Sequence, residues 1–205
     1  MTAPLKSRDV SDRRFIEPSF AAGRRSPAAP DLVGLAHRRF VAGESCDIDS
    51  LAKELGVSRA TAYRWAGNSE QLMGEVIASL VETTFRQAAS KARGKGAARV
   101  LAVMERGMRY VAESRVYHDF LERDPQRALR IVATKEGPAQ RRSIALHQQL
   151  LEDEVAKGHL RLSVDAHTMA YALVRTAESF LYADLIAGEK PDLAKALKIL
   201  KLMLR

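Results

Sequence analysis

Apolar residues recur at intervals of three and four along most of this chain, and no run alternates long enough to make a strand. Asp31 is placed to cap the stretch LVGLAHRRFVAG, which sets Leu32, Leu35, Ala36 and Phe40 on one face and stops at Gly43. Two short helical pieces then flank Gly56, and a long one covers residues 69–92. The sequence RGKG, residues 93–96, breaks that helix and predicts a boundary between a small N-terminal domain and a larger C-terminal one. Beyond it, residues 97–113 carry Val100, Leu101, Met104, Met108 and Val111 at helical spacing. A short piece over 116–122 follows, and Pro125 suits the first turn of a helix reaching residue 134. Gly137-Pro138 opens a longer helix to residue 157. Ser163 or Asp165 caps a long helix ending before Gly188, and Pro191 starts the last one, DLAKALKILKLMLR.

Composition narrows the class. Of 205 residues, 46% are hydrophobic and 28% charged, which is globular rather than disordered. No apolar run reaches the ~18–20 residues that a membrane span needs. The first residues, MTAPLKSRDVSDRRF, lack the apolar stretch of a secretory signal. The single Cys46 excludes an internal disulfide framework, so a reducing, cytoplasmic setting is expected.

The net charge of +8 suits an anionic partner. The excess is mostly central, with 12 basic against 6 acidic residues over 93–145, so charge alone does not locate a nucleic-acid site. Residues 1–30 hold four of the seven prolines and the pairs Arg13-Arg14 and Arg24-Arg25 without periodicity. They read as a flexible basic arm, either a tail without a role or one that lies on DNA phosphates.

The informative segment is IDSLAKELGVSRATAYRWAG, residues 48–67. Two short helices crossing steeply need a small residue at the crossing, a Gly to turn the chain, and apolar residues facing a third helix. Ala52 is the small contact, and Gly56 takes the positive φ that ends the first helix. Ile48, Leu51, Leu55, Val57, Ala62 and Trp65 form the expected buried set, and Ser58 caps the second helix. A helix-turn-helix follows. If its second helix enters a major groove, Ser58, Arg59, Ala60, Thr61, Tyr63 and Arg64 face the DNA. Arg59 or Arg64 suits a bidentate contact to guanine, Thr61 a thymine methyl, and Tyr63 a phosphate. Asn68 and Ser69 open the next helix, whose free N–H groups suit another phosphate. Asn68 and Gln71 also have capping-box spacing, which is the local reading of that pair.

The run DIDSLAKELGVSRATAYRWAGNSEQL resembles the TetR family of one-component transcriptional regulators, and the likeness spans residues 31–80. The resemblance implies a homodimer, a ligand pocket in each C-terminal domain, and release of DNA when ligand binds. Two positions depart from the family pattern. Ala66 stands where an aromatic is usual, with Trp65 one place earlier, and Ser69 stands where a phosphate-binding Lys is usual. The segments RALRIVATKEGPAQRR and VRTAESFLYADLIAGEKPDLAKA are similar to the QsdR-type branch of the family. That likeness implies a γ-lactone or an acyl-homoserine lactone as effector.

Other signals carry less. Ser50-Leu51-Ala52-Lys53 has the Ser-x-x-Lys form of some acyl-transfer enzymes but lies in the first helix of the motif without companion motifs. His37, His118, His147, His159 and His167 show no metal-ligand spacing, and Gly94-Lys95-Gly96 lacks phosphate-loop spacing. No metal or cofactor is expected. Met104, Met108, Phe120, Tyr171, Phe180 and Tyr182 are candidate pocket lining, with plain core packing as the alternative. Arg175 and Glu178, three residues apart on an otherwise apolar helix, need partners: each other, a dimer interface or a polar ligand. Leu193, Leu197, Leu200 and Leu204 form a stripe on the last helix, suited to a four-helix dimer interface.

The expected architecture is all-α. Residues 1–30 form an arm, and 31–92 a three-helix DNA-binding domain with its connecting helix. Residues 93–205 form a helical bundle for ligand binding and dimerisation. The expected function is a ligand-responsive, non-enzymatic repressor of palindromic operator DNA, released by a small apolar effector. The alternative is a helical-bundle enzyme or carrier with a non-DNA-binding helix-turn-helix.

Overall fold

The computed structural model describes residues 28–134 and 137–205. The Arg-Arg pairs of the basic arm lie outside the described residues. Among the described residues the chain forms eleven helices and no strand. The DNA-binding end comprises α1 (Ala29–Val41), α2 (Ile48–Leu55) and α3 (Arg59–Ala66), and α4 (Ser69–Lys91) leads away from it. Then come α5 (Gly96–Ala112), α6 (Arg115–Arg123), α7 (Pro125–Ala133) and α8 (Pro138–Ala156). The chain ends with α9 (Ala166–Leu181), α10 (Ala183–Ala187) and α11 (Leu193–Met203). No helix among the described residues is long and apolar enough to cross a membrane.

Side-chain caps fix most helix starts. Asp47, Ser58, Asn68, Ser114, Asp124, Asp165 and Asp192 each accept a first-turn backbone N–H. Two starts differ from expectation, at α1 and α11, and the structure decides between two expected caps at α9. Asp31 is not the cap of α1 but its third residue, reaching back to the Ala28 N–H at 2.6 Å. Asp165 rather than Ser163 caps α9, accepting from Thr168 N at 2.9 Å. The last helix begins after Asp192, which leaves Pro191 outside it. The expected single helix over 164–187 is also interrupted at Tyr182, whose φ of −108° and ψ of 23° leave the helical region. The Tyr182 ring is buried, and its hydroxyl meets that of Tyr117 at 2.8 Å, an anchor that holds the side chain inward at the break.

The spine of the molecule is α4, which packs against α1, α5, α7 and α8. Its first half, through Leu72, Val76, Ile77 and Leu80, closes a core with α1, α2 and α3. Tyr117, Leu121, Ala128, Ile131 and Val132 from α6 and α7 join that same core. Its second half, through Ala88, packs on α5, α8, α9 and α11. The apolar core thus divides partway along α4, and α6 and α7 side with the DNA-binding end.

One polar group is enclosed at the far end of α8. The Glu154 side chain is 2% exposed and accepts the Gly96 N–H at 2.7 Å. Arg99, Lys157 and His159 stand 3.3–3.5 Å from its oxygens. Burial pushes its carboxyl up, but Gly96, His159 and Lys157 outweigh that and hold it below the ordinary carboxylate value. Gly96 has φ +56°, and a Cβ there would stand 2.1 Å from the His159 carbonyl oxygen. Only glycine fits both demands.

Candidate functional site

The helix-turn-helix is built by local chemistry. Gly56 ends α2 in the left-handed region at φ +66°, and the Val57 N–H returns to Ala52 O at 3.0 Å. Ser58 Oγ accepts the Thr61 N–H at 3.1 Å and so starts α3. Ile48, Leu51, Ala52 and Ala62 are fully enclosed. Leu55, Val57 and Trp65 are only half-buried, while Ala66 is enclosed at the end of α3.

The outward face matches expectation in position. Ser58, Arg59, Ala60, Tyr63 and Arg64 are exposed, and Thr61 is half-buried. Arg59 is not free, however. Its guanidinium forms a two-point ion pair with Asp49 of α2, with Nε 2.7 Å from Oδ1.

At the head of α4, Asn68 Oδ1 accepts both the Glu70 and Gln71 N–H groups at 2.9 Å. Two of the first N–H groups proposed for a phosphate are therefore occupied by the cap. Arg127 of α7 donates to Ser69 Oγ at 2.8 Å, and Arg130 lies 3.3 Å from Glu70. A guanidinium thus stands at Ser69, supplied from elsewhere in the chain.

Beyond the core of α4 lies a cavity of about 120 Å³. Its apolar wall includes Ile77, Leu80, Phe85, Met104, Met108 and Val174. Its polar groups are Thr84, Tyr117, Ser143, His147, Glu178 and Tyr182. Of the expected lining, Met104, Met108, Glu178 and Tyr182 are present. Phe120 is not, because its ring turns to Phe40, 5.6 Å away edge-to-face. Tyr171 is 49% exposed on the outer face of α9. Phe180 is half-buried against the second core, with Lys195 Nζ 6.0 Å from its ring. Arg175 does not line the cavity either. It donates to Ala133 O at 2.8 Å and to Glu178 Oε2 at 2.9 Å.

Sequence reasoning missed Tyr117 and His147. His147 stands three residues after Ile144 and four before Leu151, a buried-face spacing that marked its place on α8. Its Nδ1–H donates to Ser143 O at 2.8 Å, and burial lowers its pKa, so the ring is neutral with Nε2 as an acceptor. Burial raises the Glu178 carboxyl, opposed by Gln140 and Arg175. Both tyrosine hydroxyls are also pushed up by burial. Cys46 is inert by the same cause, pushed up to about 11, its thiol donating to Ala36 O.

The stripe on α11 faces inward. Leu200 is 0% exposed, Leu204 is buried, and Leu193 and Leu197 pack on the second core. These leucines hold α11 to its own protomer, so Leu200 is not available to a partner. On α9 and α11, the large apolar side chains left open among the described residues are Tyr171, Ile199 and Leu202.

A capped helix-turn-helix, joined by one long helix to a helical domain with an internal cavity, defines a helix-turn-helix regulator of the one-component type. Residues 95–205 match the family model described as tetracyclin repressor-like, C-terminal domain. The fold matches that of the R. erythropolis transcriptional repressor QsdR, from the TetR family, with a TM-score of 0.81 and 33% identity. The match covers 86% of this chain and 93% of that one. The chain belongs to the TetR family of transcriptional regulators. No curated protein matches it.

Proposed function

We propose that this chain is a ligand-responsive repressor that acts in the cytoplasm by binding rather than by turnover. It binds palindromic operator DNA as a homodimer and lets go when a small, largely apolar effector enters the cavity. The observation that carries this reading is the course of α4. Its first residues adjoin the helix-turn-helix, and its Ile77, Leu80, Val81, Thr84 and Phe85 line the cavity. A ligand that tilts α4 tilts the DNA-reading end with it, which is the differential coupling a switch needs. The effector in this proposal is a γ-lactone or an acyl-homoserine lactone, the class implied by the resemblance of RALRIVATKEGPAQRR and VRTAESFLYADLIAGEKPDLAKA to the QsdR-type branch.

On DNA, α3 lies in the major groove. Arg59 or Arg64 reads guanine, Thr61 touches a thymine methyl, and Tyr63 fixes register on a phosphate. Ser58 and Ala60 lie against the groove. Ser69, with Arg127 beside it, and Asn68 meet the backbone at the head of α4. Half-sites stand one helical turn apart or a multiple of it. The dimer forms through the outer faces of α9 and α11.

The test is a mobility shift on the DNA upstream of the protein's own gene, with and without lactones. Salt-sensitive, sequence-specific binding that lactone reverses supports the reading. A protein that shifts no DNA sequence overturns it.

A further inference from the structure

We infer that the effector carries a hydrogen-bond donor beside a carbonyl acceptor, and that a neutral secondary amide is the ligand class the cavity takes. The inference rests on the cavity being the effector site. Tyr117 and Tyr182, both buried, share one hydrogen bond at 2.8 Å between their hydroxyls. Two hydroxyls carry two protons and that bond uses one. The other meets no acceptor among the described residues, so a ligand carbonyl oxygen satisfies it.

Glu178 stands one turn before Tyr182, whose backbone N–H donates to Glu178 O at 2.9 Å, and both residues line the cavity. Its Oε2 accepts from Gln140 Nε2 at 3.1 Å and from Arg175 Nη1 at 2.9 Å. Its Oε1 receives no donor among the described residues. His147 presents a second acceptor, Nε2, because its Nδ1–H is committed to Ser143. The cavity wall therefore offers acceptors as well as a donor.

Charge and size sharpen the class. Arg175 already balances the Glu178 carboxylate, so a cationic ligand would bring excess charge into an apolar space. A simple γ-lactone has acceptors only and leaves Glu178 Oε1 unmet. An N-acyl amide supplies both groups. The cavity volume of about 120 Å³ is close to the ~150 Å³ that holds one benzene. It fits a compact head group. A longer acyl tail enters as the flexible Met104 and Met108 side chains give way.

The experiment is calorimetry on the full chain with three probes: N-hexanoyl-homoserine lactone, α-hexanoyloxy-γ-butyrolactone and γ-decalactone. The second differs from the first only by an ester oxygen in place of the N–H. The expected result is at least about tenfold tighter binding of the amide than of either other probe. In Glu178→Leu the amide-to-ester ratio should fall below about threefold. If that variant does not fold, the three-probe comparison on the native protein decides. Equal binding of amide and ester overturns the donor requirement while leaving the cavity as an effector site. Binding of none of the three overturns this inference and the lactone effector together, and a retained DNA shift would leave the repressor reading standing.

Discussion

Arg127 on α7 donates to Ser69 Oγ, on the first residue of α4, at 2.8 Å, and Arg130 lies 3.3 Å from Glu70 one residue on. The same α7 contributes Val132 to the cavity wall. Under the proposed function, ligand-driven displacement of α7 should therefore pull on the head of α4, next to the helix-turn-helix. The double variant Arg127→Ala/Arg130→Ala should fold normally, since both side chains reach solvent. The exposed Arg130–Glu70 ion pair contributes at most about 1 kcal/mol. The effector concentration for half-release of DNA should accordingly rise roughly 3- to 10-fold. Unchanged release in a fluorescence titration would remove α7 from the coupling.

Arg59 and Tyr63 should behave differently on DNA. Arg59 is held by Asp49, and a base edge should compete with that carboxylate for it. Arg59→Ala should relax the preference at one base position by about tenfold. Tyr63, 43% exposed, should act on a phosphate, so Tyr63→Phe lowers affinity evenly across sequences. Binding-site selection on randomised duplexes reads both. A sequence change with Tyr63→Phe and none with Arg59→Ala would reverse the assignment.

The reading head was legible because everything it needs is local. Asp47, Ala52, Gly56, Ser58 and Asn68 lie within 22 consecutive residues, and each acts on neighbours a few positions away. The cavity was half legible. Met104, Met108, Glu178 and Tyr182 sit on apolar faces that do turn inward. Phe120 has the same signature, yet α6 is rotated so that Tyr117 meets the cavity and Phe120 meets Phe40. A helix's rotation against its neighbours is set by distant packing, which periodicity does not encode. The α11 stripe was legible as a buried face, though Leu200 is enclosed within its own protomer. Amphipathicity identifies a face that is buried but not the chain that buries it. The Arg127–Ser69 contact, 58 residues apart, leaves no local trace.

Glu154 should give the fold an acid limb. Its carboxyl is held below the ordinary value of 4.5, so its contribution is fully present above that value and is lost as pH falls through the lower folded one. Urea unfolding should show wild type losing stability below about pH 4.5. Glu154→Gln should already be destabilised at neutral pH, by about 1–2 kcal/mol, and should lack this part of the acid slope. Gly96→Ala should cost at least about 2 kcal/mol, since it adds left-handed strain to a clash with the His159 carbonyl. An acid profile unchanged by Glu154→Gln would assign the slope to other carboxylates.

The dimer proposal separates two neighbouring leucines. Leu202 is 54% exposed and Leu200 is 0% exposed on the same helix. A lysine at the first meets whatever covers α11 from outside, and a lysine at the second meets the protomer's own core. Ile199→Lys/Leu202→Lys should keep its thermal midpoint at low protein concentration but scatter light as a monomer. Leu200→Lys should instead lose the fold, because an enclosed ammonium without a partner costs more than about 3 kcal/mol. The contrast tests the interface without relying on a single variant. A dimer that survives Ile199→Lys/Leu202→Lys would place the contact away from this face of α11. Dissociation of folded monomers by Leu200→Lys would mean that α11 swings outward in the dimer and exchanges its leucines with the partner.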